Sequence, residues 1–127
     1  MTREQLIRAA NRELKLWSDR LGLGFWRVSL DFARLPDGRK GQTGTLISYY
    51  EANIVVDLDQ HHSAEDIGET IRHELIHVLL ANLDIVPVLL KEFEDDPKIP
   101  LLRRSFEIAL EQVTTKLELI LRDLANG

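Results

Sequence analysis

The stretch His73-Glu74-Leu75-Ile76-His77 lies inside an apolar segment that runs from residue 71 to residue 80. On an α-helix, side chains four residues apart lie on the same face, about one turn from each other. His73 and His77 are therefore expected to direct their imidazoles at one metal ion. Such an ion lowers the pKa of a water molecule, and Glu74 is placed to accept the proton. The stretch predicts a central helix with a metal site on it.

The alternative is a buried helix that carries two histidines by chance. Such a helix would bury two imidazoles and a carboxylate among Leu, Ile and Val side chains. That burial costs free energy unless the polar groups are paired or ligate a metal. The metal site is therefore the favoured interpretation.

The composition is that of an ordinary globular chain. Its 127 residues suffice for one core, and we expect a single domain over residues 1–127. A net charge of −5 argues against general attraction to nucleic acid or to an anionic membrane. No apolar run reaches transmembrane length, and the charged N-terminus favours a cytoplasmic location. The chain has no Cys, so a zinc ion would need His and carboxylate ligands.

Hydrophobic periodicity predicts three main helices. Residues 2–20 repeat apolar side chains at helical spacing, with Trp17 in the core. Residues 63–81 form the central helix, and Ser63 is its expected N-cap. Residues 101–124 form the last helix. Its apolar stripe is predicted to consist of Leu102, Phe106, Ala109, Leu110, Val113, Leu117, Ile120 and Leu124.

Alternating apolar and polar residues predict strands at 25–35, 45–50 and 53–58. Together with the helices they give an α+β fold with a three-stranded, mostly antiparallel sheet. Residues 36–44 are expected to form a basic loop, because they begin with a Pro-Asp-Gly turn signal. Residues 82–100 are either a lid over a cleft or a plain connection, and the pattern does not choose between them.

His61 and His62 stand next to each other on the predicted loop before the central helix. Neighbouring residues in a loop share no fixed direction, so we do not expect either to be a metal ligand. Solvated loop histidines are the expectation for both.

A hydrolytic zinc site generally has three protein ligands and one open position. No His follows His77, so the third ligand is expected to be a carboxylate. On the last helix, a rotation of about 100° per residue places Glu107 nearest the apolar stripe and Glu111 further round. Glu107 is therefore favoured. The full set of candidates is Asp84, Glu92, Glu94, Asp95, Asp96, Glu107, Glu111 and Glu118.

The central stretch resembles the zincin peptidases. Besides the H-E-x-x-H pattern it has Thr70 three positions before the first histidine, uncharged Leu75 and Ile76 between the histidines, and Leu79 after them. The order of elements over residues 26–117 is similar to that of the gluzincins. Among these, the small phage-type and ImmA/IrrE-like metallopeptidase domains are the most similar.

The resemblance implies a zincin-like fold that holds Zn²⁺ through His73, His77 and Glu107. It implies Glu74 as the general base and a peptide or protein as the substrate. Glu111, one turn after Glu107, would then support a metal-bound histidine, although Asp is often found at that position in the family. Glu111 as the ligand itself remains the alternative.

By the same resemblance, residues 53–58 are a candidate edge strand to which an extended peptide could add. A plain or interior strand is the alternative. Two other functions also stay open: a zinc hydrolase with a non-peptide substrate, and a regulatory or interaction module that binds metal with little catalysis. The sequence does not indicate the oligomeric state.

Overall fold

The fold is α+β, as the sequence predicts. A computed structural model describes residues 1–93 and 95–126, apart from the side chains of Asp84 and Ile85. Two compact units are present, Met1–Leu79 and Leu80–Gly127, and the expectation of a single domain stays a prediction. In the described residues the helices are α1 (Arg3–Arg20), α2 (Ala64–Leu79), α3 (Ile85–Leu90) and α4 (Ile99–Asn126), and the strands are β1 (Arg27–Phe32), β2 (Gly41–Leu46) and β3 (Glu51–Val56).

Helix α1 begins and ends with the signals that its sequence carries. The hydroxyl of Thr2 accepts a hydrogen bond from the main-chain N–H of Gln5 at 3.2 Å, and the Gln5 side chain accepts one from the Thr2 N–H at 2.9 Å. These two bonds form a capping box. At the other end Gly22 has φ +70°, and the N–H of Leu23 donates to the carbonyl of Ser18 at 2.9 Å. This pattern closes a helix because glycine adopts the left-handed conformation without strain.

Helix α1 packs against α2 through a buried polar cluster around Trp17, which lies in the core as predicted. The Trp17 indole N–H donates to a carboxylate oxygen of Glu13 at 2.8 Å. The guanidinium of Arg72, which is also buried, lies 3.4 Å from the same oxygen and over the Trp17 ring. Because a buried charge is tolerated only when paired, this cluster fixes how α2 sits on α1.

The sheet is mixed, so the prediction of a mostly antiparallel sheet is wrong. The strand order is β1-β3-β2, with β1 parallel and β2 antiparallel to β3. After β1 the chain passes over to the far side to form β2, and a hairpin then brings β3 into the middle. Ala52, Ile54 and Val56 on β3 point into the core.

The second strand begins earlier than predicted. It was expected at 45–50, but β2 occupies Gly41–Leu46 and so begins inside the predicted loop 36–44, and Ile47–Tyr49 form a short 3₁₀ turn. The inward positions of β2 are Gly41, Thr43 and Thr45, which face α2 rather than a wide apolar core. Because these residues are small or polar, the alternation that predicts a strand is missing.

The candidate edge at residues 53–58 is also wrong. Strand β3 is the central strand, and it is paired on both sides. It ends at Val56, so Leu58 belongs to a short 3₁₀ turn, Leu58–Gln60, instead of the strand. The edge strand that packs against α2 is β2.

The second unit contains α3 and α4. Helix α4 includes the predicted span 101–124 and extends two residues further at each end. Its buried residues are Ile99, Thr114 and Leu121, and the Thr114 hydroxyl is satisfied by the carbonyl of Leu110 at 2.9 Å. Several members of the predicted stripe are exposed instead, namely Leu102, Ala109, Val113, Ile120 and Leu124. The buried face is therefore rotated from the one that hydrophobicity alone indicated.

Residues 81–93 are mostly short helical pieces: Ala81–Asp84, α3 and Lys91–Phe93. Whether residues 82–100 act as a lid stays a prediction. No single helix in the described part of the chain is long and apolar enough to cross a membrane. The consecutive stretches Ala64–Leu79 and Ala81–Phe93 reach that length and composition only when they are counted together.

Candidate metal centre

Helix α2 is mostly buried, and it carries both histidines of the candidate metal centre. The helix begins as predicted, with the N–H of Asp66 donating to the Ser63 hydroxyl at 3.1 Å. Ile67, Ile71, Leu75 and Ile76 are fully buried. His73 and His77 are only half-buried, so they lie where the helix reaches the surface. A rigid helix thus holds both side chains at a fixed separation.

The two imidazoles converge on one point. Their Nε2 atoms are 3.1 Å apart, and their ring planes are inclined at 73°. Two nitrogens bound to one zinc ion at about 2.0–2.1 Å, with a tetrahedral angle between them, are separated by about 3.3 Å. In the structure the nitrogens are close enough to share a hydrogen bond, which an arriving ion would replace. The donor set and its spacing therefore fit a zinc ion.

Glu74 lies beside this pair as a buried carboxylate, with only 3% of the residue exposed. One oxygen of Glu74 and one nitrogen from each of His73 and His77 all lie within 4.8 Å of one another. The hydroxyl of Thr43 on β2 is within hydrogen-bonding distance of Glu74 Oε1, at 3.1 Å, and of the Glu74 carbonyl, at 3.3 Å. A hydrogen bond to a carboxylate is stronger than one between neutral groups. The edge strand therefore helps to hold Glu74 in place.

Gly41 permits this contact between strand and helix. A Cβ atom built on Gly41 would lie 2.9 Å from Thr70 Cγ2 and 3.0 Å from Glu74 Cγ, closer than side chains normally approach. Gly44, three residues further along the same strand and on its outer face, has nothing within 4 Å of a Cβ atom built at the same place. Neither Gly41 nor Thr43 was predicted from the sequence as a site residue. The only signal was the Gly-x-Thr-x-Thr alternation from Gly41 to Thr45.

His61 is buried, so the expectation of a solvated side chain is wrong for it, whereas His62 is exposed as expected. His61 Nδ1 lies 2.7 Å from the carbonyl of Asp57, and its Nε2 lies 2.7 Å from the hydroxyl of Thr70. A carbonyl only accepts, so Nδ1 donates to it. His61 therefore ties the loop before α2 to the helix, one turn ahead of His73.

An ion pair connects the start of β2 to the first turn of α2. The Lys40 ammonium lies 2.7 Å from the Asp66 carboxylate. Chiefly through this hydrogen bond, the pKa of Asp66 is lowered from its ordinary value of 3.8. A carboxyl with a depressed folded-state pKa contributes stability above its ordinary pKa and loses it as the pH falls through the lowered value. The pair therefore supports the contact of β2 with α2 at neutral pH.

The third ligand stays a prediction. Among residues 1–93 and 95–126, His73, Glu74 and His77 are the one group of at least three that could hold a metal ion. Glu107 and Glu111 are exposed on α4, which belongs to the second unit. Of the other candidates, Glu94 and the side chain of Asp84 lie outside the described residues.

Comparison with known proteins does not assign the chain to a family. No protein-family model, curated protein or solved structure matches the chain. The candidate metal centre therefore depends on the residues and distances given above.

We predict that the protein binds about one zinc ion per chain, and that His73→Ala and His77→Ala each lose it. Each substitution removes one of the two converging nitrogens. The exposed His62 offers a matched control, and His62→Ala should keep its zinc. Metal content would be measured by mass spectrometry after zinc loading and gel filtration, with circular dichroism to verify folding. Equal zinc in His77→Ala and the wild type would remove this residue from the site.

Gly41→Ala should lower the free energy of unfolding by about 1–3 kcal/mol, because the new methyl group overpacks the contact with Thr70 and Glu74. Gly44→Ala, on the same strand but in open space, should change it by less than about 1 kcal/mol. Urea denaturation of the two variants beside the wild type measures the difference. Similar stabilities for the two variants would show that the close approach of β2 to α2 is not a constraint.

Proposed function

We propose that the protein is a zinc-dependent metallopeptidase with a zincin-like fold and a cytoplasmic location. His73, His77 and Glu107 would hold Zn²⁺, and Glu74 would be the general base. The observation that carries the proposal is the convergence of two imidazole nitrogens at 3.1 Å beside a buried, hydrogen-bonded carboxylate. Two converging nitrogens can hold a metal ion, and a carboxylate beside them can accept the proton of the attacking water, so the arrangement supplies the parts that metal-assisted hydrolysis uses.

Glu74 and Thr43 would have different roles in the proposed hydrolysis. When bound, zinc supplies Lewis-acid chemistry, which lowers the pKa of water and polarises a carbonyl group. Glu74 accepts a proton from the attacking water at its carboxylate and passes it to the departing amine. Thr43 orients that carboxylate through its hydroxyl. Glu74 is buried, with only 3% of the residue exposed, and exclusion from bulk water strengthens the hydrogen bonds of its carboxylate.

The edge strand supports a peptide as the substrate. Strand β2 is at one edge of the sheet, and its residue Thr43 contacts the proposed base. An extended peptide can add to such an edge through main-chain hydrogen bonds, which are independent of its sequence. Strand β2 is thus the candidate substrate edge in place of residues 53–58. A peptide aligned on it would pass close to Glu74.

Glu74→Gln tests the proposed base. We expect the variant to keep its zinc and to lose at least about a hundredfold in hydrolysis rate, because the amide cannot accept the proton. The exposed Glu69 lies on the same helix, and Glu69→Gln should behave as the wild type. The rate would be followed on fluorescein-labelled casein, with zinc content measured in the same samples. Equal rates in Glu74→Gln and wild type would exclude Glu74 as the base.

A chelator competition tests the third ligand. Glu107→Gln should weaken zinc binding more than Glu111→Gln does, because a ligand contributes more than a group that supports one. For a supporting residue the expected loss is about 10- to 100-fold. The reverse order would move the ligand one turn along α4. A wild type that binds zinc without cleaving any peptide would instead favour a metal-binding module.

A further inference from the structure

An aromatic patch lies at the end of the sheet where β1 and β3 begin and β2 ends. The proposed metal chemistry does not use this patch. We define the patch as Phe25, Trp26, Leu46, Tyr49 and Tyr50. Four of these residues are 47–70% exposed, although they are large and apolar. The Tyr50 ring makes edge-on contacts with Phe25 and Trp26, at centroid distances of 5.2 and 5.4 Å. The rings therefore hold each other in place at the surface.

The backbone conformation of Tyr50 is a second, independent indication that its ring has a role in binding. Tyr50 has φ 51° and ψ 46°, the left-handed conformation that favours glycine or asparagine. A bulky side chain in this conformation costs conformational free energy. Tyr50 remains 47% exposed, so the burial of its ring alone does not explain why a bulky residue occupies this conformation. Outliers of this kind concentrate at sites that contact ligands.

A groove adjoins the patch. Its volume is about 870 Å³, within the range of small-ligand sites. It is lined on the β1 side by Trp26, Arg27 and Ser29 and on the other strands by Leu46, Glu51 and Asn53. Arg27 and Glu51 form a surface ion pair 3.8 Å apart, so opposite charges face each other along one side. The groove thus combines apolar walls with a rim whose charges balance, which suits an uncharged side chain.

Strand β2 connects this patch to the candidate metal centre. Thr43 contacts Glu74, and Leu46 lies three residues further along the same strand, inside the patch. Three residues of a strand span about 10 Å. A peptide that pairs with the β2 edge runs alongside it at the same rise per residue. A side chain three or four residues from the cleaved bond would therefore reach the patch.

We propose that the aromatic patch is a specificity site for a large apolar or aromatic side chain of the substrate. The side chain would lie three or four residues from the bond that is cleaved beside Glu74. This inference rests on the proposed metallopeptidase function and adds to it a substrate class: extended peptides with an aromatic or large aliphatic residue at that distance.

Cleavage-site profiling tests the specificity site. The zinc-loaded protein is incubated with a peptide library from a digested bacterial proteome, and the new termini are sequenced by mass spectrometry. Phe, Tyr, Trp or Leu should be enriched about five- to tenfold at one position three or four residues from the cut. Tyr49→Ala and Tyr50→Gly should lose that enrichment. Gly suits the left-handed backbone at this position, so the second variant should fold.

Two further variants serve as controls. Tyr50→Phe keeps the ring and should keep the enrichment, and Leu16→Ala, at an exposed position on α1, should match the wild type. Cleavage without enrichment at that distance, or equal enrichment in Tyr50→Gly, would overturn the specificity site and leave the metallopeptidase standing. A wild type that cuts nothing would overturn the proposed function instead.

A binding measurement separates the two failures. The probes are two fluorescein-labelled peptides of Ala, Ser and Thr that differ in a single central Phe, and the protein is zinc-loaded Glu74→Gln. Fluorescence anisotropy should show the Phe peptide binding about fivefold more tightly, with the preference lost when Tyr50→Gly is added. Equal affinities for the two peptides would contradict the patch as a peptide site, whether or not the wild type is an enzyme.

Discussion

The close contact between β2 and α2 is the constraint on which the candidate site depends. Gly41 has no side chain, so the strand can approach Thr70 and Glu74 within van der Waals distance. At that distance the Thr43 hydroxyl reaches the buried Glu74 carboxylate. Burying a carboxylate costs free energy unless hydrogen bonds compensate for lost hydration. The contact that holds the sheet on the helix therefore also stabilises the carboxylate of the proposed base.

Elements with a local signature could be predicted from the sequence. Helical spacing located α1 and α2, and the Ser63 cap formed as the pattern indicated. Strand β2 could not be located, because its inward residues are small or polar where α2 comes near. The strand order could not be predicted either. Strands β1 and β2 pair with opposite sides of β3. This order depends on contacts between residues that are distant in the chain, so local sequence patterns do not predict it.

The same distinction applies to the site. The pairing of His73 and His77 follows from their spacing of four on one helix, and the structure brings their nitrogens together. Thr43 and His61 were missed because their partners, Glu74 and Thr70, become neighbours only when the chain folds back on α2. The aromatic patch has a similar origin: its residues come from two short stretches that meet when β1 aligns with the hairpin. The third ligand could not be decided for the same reason, since Glu107 and Glu111 are distant in the chain from His73 and His77.

The zinc K-edge X-ray absorption spectrum of the zinc-loaded protein would show whether His73 and His77 bind the ion, because the spectrum reports the ligands of the ion itself. We expect two imidazole ligands with Zn–N distances of about 2.0–2.1 Å, and oxygen donors completing a four- or five-coordinate shell. The multiple scattering of imidazole should fall in His77→Ala. A shell of oxygen ligands without imidazole would exclude the candidate metal centre, since zinc would then be bound away from His73 and His77.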